Sequence, residues 1–371
     1  MNLTIDRTAF FNGLKSIIGV IERKNTQPIL GNVLLTIQGQ NLILTASNLE
    51  MEVRLVLEDS VHASQDFSIT LPARKVFDLL SALPDGAAVQ LEIDGANALM
   101  KVGRSRYKLS TLPAENFPII DISGQNASVS VSQPLLNTMI KQVDFAMATQ
   151  DVRYYLNGML FELEGANLTL VATDGHRLAK ASTVLEQSQE NKSQLIVPRR
   201  TVIELAKALS DSGDVILGLA HNHLMLTLGN LTMTVKLVEG KFPEYQRVIP
   251  VNMTFKLAVD KQQLSSGLSR VAILANDKLR GVRVTINSDS IELTTSNPEQ
   301  DEADEFIEAS FNGDSSMTTG FNLRYLQEVI AVIPTENVLF SLKEGNTPCL
   351  TEYTLDNDTI HVSQVIMPMR L

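Results

Sequence analysis

The chain has 371 residues, 44% hydrophobic and 20% charged, a globular composition that excludes bulk disorder and is long enough for two or three domains. Its 31 Lys and Arg stand against 42 Asp and Glu, a net charge of −11 that argues against a simple basic nucleic-acid binder. No apolar run approaches the roughly 20 residues that span a bilayer, MNLTIDRTAFF carries no basic leader or apolar h-region, and the single Cys349 cannot make an internal disulfide, so a cytoplasmic protein with no membrane partner is expected.

Along the chain, the first expected element is a helix over 7–24, where Phe10, Leu14, Ile17, Ile18 and Ile21 share a stripe and Asp6 stands as N-cap. Residues 31–48 (GNVLLTIQGQNLILTASN) read as strand, turn and strand. A second helix is expected over 72–83, with Val76, Leu79, Leu80 and Leu83 on its apolar face and Pro72 in the first turn, where a missing N–H costs nothing. Gln90–Leu91–Glu92–Ile93 alternates at period two, and a linker is expected near 121–127. The series then begins again: a helix over 134–153 after Ser132, with Leu136, Ile140, Val143 and Met147 aligned, a strand pair over 157–174, and a helix over 198–211 opened by Pro198. A second linker falls near 249–254. A third round follows, with a helix over 260–280 after Asp260, a strand pair over 280–297 and a helix over 321–331. The chain closes on Val365-Ile366-Met367-Pro368-Met369-Arg370-Leu371, apolar for a terminus, which fits either a final core strand or methionines lining a docking surface.

The three rounds are copies. The strand pairs end at Asn48, Asp174 and Asn297, offsets of 126 and 123 residues, and Pro72, Pro198 and Phe321 repeat the same offsets. Phe117-Pro118, Phe242-Pro243 and Met367-Pro368 close the copies at spacings of 125. Three tandem domains are therefore expected over 1–122, 128–249 and 253–371, each with two helices on antiparallel sheet, an α+β plan.

Charge divides along the same lines. The six expected helices sum to +7, leaving −18 for the strands and loops. A basic layer that meets a polyanion and an acidic exterior that discourages casual sticking would produce this split, and it offsets the objection raised by the net charge.

Motifs for catalysis are wanting. The chain has no GxxxxGK[ST] loop, no GxGxxG, no HExxH and no GxSxG. His221 and His223 share a strand face with no third ligand close in sequence, so no metal is expected. Asp174-Gly175-His176-Arg177 has the look of an active-site fragment, but Asp-Gly between two strands first reads as a turn. The same position carries Asn48-Leu49-Glu50-Met51 in the first copy and Asn297-Pro298-Glu299-Gln300 in the third, so the middle copy is chemically distinct there.

The repeats, together with QDVRYYLNGMLFE (150–162), ATDGHRLA (172–179), SNPEQDEADE (296–305) and the closing MPMRL, resemble the bacterial DNA polymerase III β subunit family, the sliding clamps, over the whole chain. The resemblance implies a homodimer joined head to tail into a six-domain ring, helices inward and sheets outward, that encircles double-stranded DNA without regard to sequence. It implies no catalytic activity and no cofactor. It implies as partners the replicative polymerase catalytic subunit, the clamp loader, and other DNA polymerases and repair proteins that carry clamp-binding peptides.

Carried over residue by residue, the resemblance implies DNA contacts at Arg23, Lys24, Gln150, Tyr154, Tyr155, Arg199 and Arg200. It implies a partner-peptide cleft built from Leu156, Thr173, Gly175, His176, Arg177, Leu178, Pro243, Arg247, Val248, Leu279, Val365, Met367, Pro368, Met369, Arg370 and Leu371, with His176 and Arg177 as hydrogen-bond donors. It implies a dimer contact that sets Tyr107 and Leu109 on an edge strand against Ile273 and Leu274, and Lys75 or Arg106 against Glu299, Asp301, Glu302, Asp304 and Glu305. Leu279 stands where the family pattern has an aromatic residue, and 343–357 matches the family poorly.

Overall fold

The computed structural model describes residues 1–22, 27–120, 127–220, 222–276, 280–344, 347–356 and 358–370, with backbone alone at 127 and 189–191. Six helices lie among them: α1 (Arg7–Ile17), α2 (Ala73–Ala82), α3 (Gln133–Lys141), α4 (Arg199–Ala208), α5 (Lys261–Leu274) and α6 (Leu323–Val332). Two fall in each copy, and the strands around them pair antiparallel throughout. Asp6 and Asp260 cap their helices as expected, accepting the backbone N–H groups of Ala9 and Gln263 at 3.0 and 2.8 Å.

The helices are shorter than the apolar stripes suggested. The stripe over 7–24 is helical only to Ile17, followed by a 3-10 turn at Ile18–Val20. The stripe over 134–153 is helical only to Lys141. Beyond it the chain makes two separate 3-10 turns, Asp144–Ala146 and Tyr154–Leu156. Farther along this second stripe a short polar side chain takes backbone groups that a helix would use. Asn157 accepts from the Asp151 N–H at 2.9 Å and donates to the Asp151 carbonyl, and Gln150 takes a φ of +56°. Pro72 is the N-cap of α2 rather than its first turn, and ends the outermost strand Phe67–Pro72, where a lost N–H breaks no ladder.

The chain packs as two compact units that do not follow the repeat boundaries. The first comprises Met1–Leu135 with Ile203–Leu237. It holds a five-stranded sheet in the order Val61–Ala63, Asn2–Asp6, Ala88–Asp94, Asn97–Val102, Ser105–Ser110. It also holds an eight-stranded sheet in which Met51–Leu57 of the first copy pairs with Leu231–Lys236 of the middle copy, Met51 opposite Val235 and Leu55 opposite Leu231. Phe10, Leu14 and Ile17 of α1 and Val76 and Leu80 of α2 are buried, and Phe11 stacks on Phe77 at 5.0 Å.

The second unit comprises Leu136–Val202 with Val238–Leu371 and holds one ten-stranded sheet. There the long strand Arg177–Pro198 of the middle copy pairs with Ile360–Ile366 of the third, Arg177 opposite Ile366 and Ser182 opposite His361. Leu264, Leu268 and Val271 of α5 and Leu326 and Ile330 of α6 are buried among Leu257, Val282, Phe321, Phe340 and Cys349. The middle copy is divided because its strands are hydrogen-bonded to a neighbour on either side.

Cys349 is 2% exposed, and burial pushes its thiol well above the usual range, so the reactive thiolate is suppressed. A maleimide reagent should therefore modify the protein only at denaturant concentrations that unfold the second unit, as read by mass spectrometry. Labelling of the native protein within minutes would contradict this packing.

Candidate functional site

The Asp174–Arg177 segment is a tight turn between the strands Gly158–Thr173 and Arg177–Pro198. Asp174 accepts the N–H groups of His176 at 2.9 Å and Arg177 at 3.1 Å. The Thr173 hydroxyl donates to the Arg177 carbonyl at 2.6 Å and accepts from the Gly175 N–H at 3.1 Å. Gly175 has a φ of +88°, and a Cβ there would stand 2.9 Å from the Arg153 guanidinium, so no other residue fits without strain. Arg153 clamps the turn from outside, donating to the Asp174 carbonyl at 3.1 Å. Its hydrogen bonds to Asp151 hold that carboxyl down at about 2.

Arg177 differs from its expected role. It was to donate to a partner, but its side chain is 6% exposed and its donors are engaged within the chain. It pairs with Asp174 at 3.1 Å and with Glu328 of α6, and donates to the Phe145 carbonyl. Its guanidinium also lies over the Tyr325 ring at 4.4 Å and near that of Phe145 at 5.2 Å. It is a buried anchor from which α6 and the turn are fixed together. His176 stays exposed, with its ring stacked toward Tyr325 at 6.4 Å. Tyr325, Glu328, Phe145 and Arg153 were missed in the sequence because nothing in their spacing links them to the turn.

Of the two alternatives for the chain terminus, the structure shows the final core strand. Val365 and Ile366 are buried core of the final strand. Met367, Pro368 and Met369 leave the sheet half-buried. The Met367 N–H donates to the His176 carbonyl at 2.9 Å and the Met369 N–H to that of Gly320 at 2.8 Å. Arg370 is exposed. Leu178 and Val365 join Leu160, Val171, Ile196, Phe242, Tyr245 and Leu350 in one apolar cluster, with Val248 and Tyr155 packed on it. Leu178 is thus a core residue, 1% exposed, rather than an open pocket wall. Pro243 and Arg247 are exposed on the same segment as Val248, and Arg247 pairs with Glu244 at 2.7 Å. Leu156 is buried at the end of its 3-10 turn. Leu279 and Leu371 lie outside the described residues.

Of the residues proposed to meet a polyanion, Gln150 and Tyr154 are exposed and Tyr155 half-buried, the two rings edge to face at 5.9 Å. Arg199 is more occupied than expected: it donates to the carbonyls of Met147 at 3.1 Å and Asp144 at 3.5 Å, closing a 3-10 turn. Arg200 is half-buried and makes interactions within the chain. Arg23, Lys24 and His221 lie outside the described residues. The basic bias survives the shorter helix bounds: α1 to α6 carry +2, +1, +1, +2, +2 and 0.

Among the described residues, the residues expected at the dimer contact fall on one open strand edge in each unit. Ser105–Ser110 has a neighbour on one side only; on it Arg106 is exposed, Tyr107 half-buried and Leu109 buried in its own sheet, with Lys75 exposed on α2. In the second unit, Glu302–Phe311 pairs with Ser290–Ser296 over 302–308, and with Phe255–Asp260 only over 309–311. Among the described residues its 302–308 stretch therefore has one open side. Glu299, Asp301, Glu302 and Asp304 are exposed there, and Glu305 is paired with Arg270 at 3.0 Å. Ile273 is 79% exposed, Leu274 half-buried, and Phe306, which sequence reading passed over within the acidic run, is 69% exposed.

Comparison with known proteins places these features in a family. Residues 1–121, 130–244 and 246–370 match the models of the N-terminal, central and C-terminal domains of the DNA polymerase III beta subunit. The chain is 42% identical to the beta sliding clamp of Pseudomonas aeruginosa over 374 residues and 40% identical to that of Escherichia coli K12 over 375, with full coverage of both chains. The crystal structure of the Pseudomonas aeruginosa DNA polymerase sliding clamp with ligand aligns over all of both chains at 41% identity and a TM-score of 0.94. A Bartonella birtlesii sliding clamp bound to griselimycin aligns as completely at 34% identity and a TM-score of 0.94.

The Arg177 cluster has a pH signature. Burial alone would raise Glu328, but hydrogen bonds from Arg324 and Arg177 outweigh it and hold the carboxyl below its ordinary value of 4.5. A depressed carboxylate stabilises fully above its unfolded value, and that stability is lost as pH falls through the folded one. Glu328→Gln should therefore lower the urea midpoint at pH 7, and the gap from wild type should close as pH falls below about 4.5. A gap that stays constant down to pH 3 would exclude the ion pair as the cause.

Proposed function

Because this chain belongs to the DNA polymerase III beta subunit family and is a sliding clamp rather than an enzyme, we propose that two copies close head to tail into a ring around double-stranded DNA. The proposed domains are 1–122, 128–249 and 253–371, two sets of three making the ring. Family members work on DNA in bacteria, and among the described residues no helix is long and apolar enough to cross a membrane; a cytoplasmic location is part of the proposal.

The observation that carries the closure is an edge-to-edge strand joint made twice inside the chain. Met51 faces Val235 where the first copy joins the middle one, and Arg177, 126 residues further on, faces Ile366 where the middle copy joins the third. The next equivalent of Met51 and Arg177 is Gln300, and the equivalent of Val235 one copy earlier is Leu109. Both belong to the open edges. Carried over from the first of these joints, the register sets Gln300 of one copy opposite Leu109 of another, Glu302 opposite Tyr107 and Asp304 opposite Ser105. Charge agrees with this register: Lys108 falls opposite Asp301, and Arg106 lies diagonally between Asp301 and Glu305. Ile273, Leu274 and Phe306 supply apolar area beside the joint. A head-to-tail contact gives a ring when its rotation closes and a filament when it does not.

Within such a ring the basic helices would face phosphates, with Lys24, Gln150, Tyr154, Tyr155 and Arg200 as contacts and Arg23 and Arg199 as neighbours. Contact can be weak, because escape from a closed ring needs opening rather than dissociation. Tethering then raises the effective concentration of a polymerase at the primer end. The apolar cluster around Leu178 and Val365, flanked by Pro243–Val248 and Met367–Met369, is proposed as the groove for short linear peptides of the polymerase catalytic subunit, the loader and repair partners.

Two outcomes are expected. Ile273→Ala with Leu274→Ala should weaken each interface by about 2–5 kcal/mol and yield a folded monomer in sedimentation. Lys108→Cys with Asp301→Cys should give a disulfide-closed dimer on non-reducing gels, while the shifted pair Lys108→Cys with Glu302→Cys should not; the reverse pattern would refute the register. For the function itself, loaded protein should remain on nicked circular DNA and leave once the circle is cut. Equal retention on circular and linear DNA, measured after gel filtration, would sink the ring reading.

A further inference from the structure

The segment that carries Pro243, Arg247 and Val248 meets the long hairpin at one buried polar point. Tyr245 opens a single 3-10 turn, Tyr245–Arg247, with its ring in the apolar cluster and its hydroxyl donating to Glu162 Oε1 at 2.7 Å. Glu162 is 5% exposed and lies on the face of its strand that also carries Leu160. Gln194, directly opposite across the ladder, donates to the other carboxylate oxygen, and Lys192 Nζ stands 3.2 Å from it.

A carboxylate this deep persists only where donors meet it. Burial alone would raise Glu162, but hydrogen bonds from Tyr245, Gln194 and Lys192 hold it below its ordinary range. Burial and that same carboxylate push the Tyr245 phenol up, so it remains a donor at any working pH. Two apolar residues would fill the space with less desolvation; what the polar pair adds is direction. The turn's own backbone bonds run from the N–H groups of Tyr245, Arg247 and Val248 to the carbonyls of Pro243, Glu244 and Tyr245. They shape the turn without tying it to the sheet. The hydroxyl adds a directed tie to the packing of Phe242 and Val248 on the same apolar cluster, with Pro243 two residues before Tyr245 and Val248 three after.

We propose that the Tyr245–Glu162 hydrogen bond positions the wall of the peptide groove, so that two residues buried beneath the surface set partner affinity through Pro243, Arg247 and Val248. The inference rests on the groove being the peptide site. Tyr245→Phe removes the hydroxyl and keeps the ring, and Glu162→Gln keeps an acceptor and removes the charge. Full-length variants are compared with wild type by fluorescence anisotropy, using a labelled peptide containing Gln and Leu or Phe, at a temperature where all are folded.

The hydrogen bond to a charged acceptor is worth enough that Tyr245→Phe should weaken the peptide about five- to thirty-fold. Glu162→Gln should stay within about threefold of wild type, because the acceptor survives. Tyr245→Phe combined with Glu162→Ala should bind no worse than the weaker single variant, since both remove the Tyr245–Glu162 hydrogen bond, the contacts of Glu162 with Gln194 and Lys192 being lost in Glu162→Ala either way. Amide exchange at Arg247 and Val248 should quicken in Tyr245→Phe while that of the buried strand Ile360–Ile366 stays slow. A purely structural hydroxyl would lower the urea midpoint and leave the affinity of the folded protein unchanged, and that result, or additive losses in the cycle, would overturn the proposal. A chain ending at Ile366 is the control for the groove itself. If it binds the peptide as well as the full chain, the groove reading has failed and this inference falls with it. If it does not bind while Tyr245→Phe binds like wild type, only the anchor is wrong.

Discussion

An antiparallel strand that ends a sheet exposes a row of backbone N–H and C=O groups that must meet water or another strand. This chain meets that constraint twice by pairing one copy with the next, at Met51–Leu57 with Leu231–Lys236 and at Arg177–Ser182 with His361–Ile366. Three tandem copies contain two such joints and leave one half-joint at either end, Ser105–Ser110 and the start of Glu302–Phe311. The half-joints are complementary in backbone direction and in charge. The edge with Arg106 and Lys108 is basic, and that with Asp301, Glu302 and Asp304 is acidic. Charged edges resist pairing with themselves, so in the proposed ring the feature that guards against aggregation would also select the opposite edge.

The middle copy uses its joint for a second purpose. Arg177 is at once the first residue of the paired strand and the centre of the ion-pair cluster with Asp174 and Glu328. The last strand, having paired with Arg177–Ser182, continues as a tail tied to the His176 and Gly320 carbonyls. The apolar floor, the Pro243–Val248 segment and the half-buried methionines therefore gather where two copies meet. A groove at that joint, as proposed, would be held by the same ladder that holds the chain together, with its base on strands.

The distribution of charge fits a protein that must stay near DNA without gripping it. The helices are basic while the chain as a whole is acidic. Much of the cationic set is also committed internally: Arg177 within its cluster, Arg199 to two carbonyls, Arg270 to Glu305. Fewer free cations means fewer phosphates neutralised and a shallower salt dependence, as a mobile tether requires.

What could be read from the sequence alone was whatever depends on neighbours along the chain. The offsets of 126 and 123 residues revealed the repeats, period-two and helical patterns the strands and the two helices per copy, Asp6 and Asp260 the caps, and Asp-Gly a turn. Helix ends were less legible: the apolar stripe over 134–153 runs past Lys141, where the helix stops, to Asp151, whose backbone groups are taken by the Asn157 side chain. The site was legible as a set of segments and not as a set of roles. Arg177 reads as an exposed donor until Phe145, Tyr325 and Glu328 close over it, from 32 residues before and 148 and 151 after. Glu162 meets Tyr245 from 83 residues away with no local signal to link them, and Phe306 stands as one apolar residue after the acidic run, exposed beside the open strand edge. Local periodicity is written into the chain by backbone geometry, so the sequence determined the copies and their elements. Burial, desolvation and the choice of hydrogen-bond partner depend on which distant residues share a space, and those were decided only by the tertiary structure.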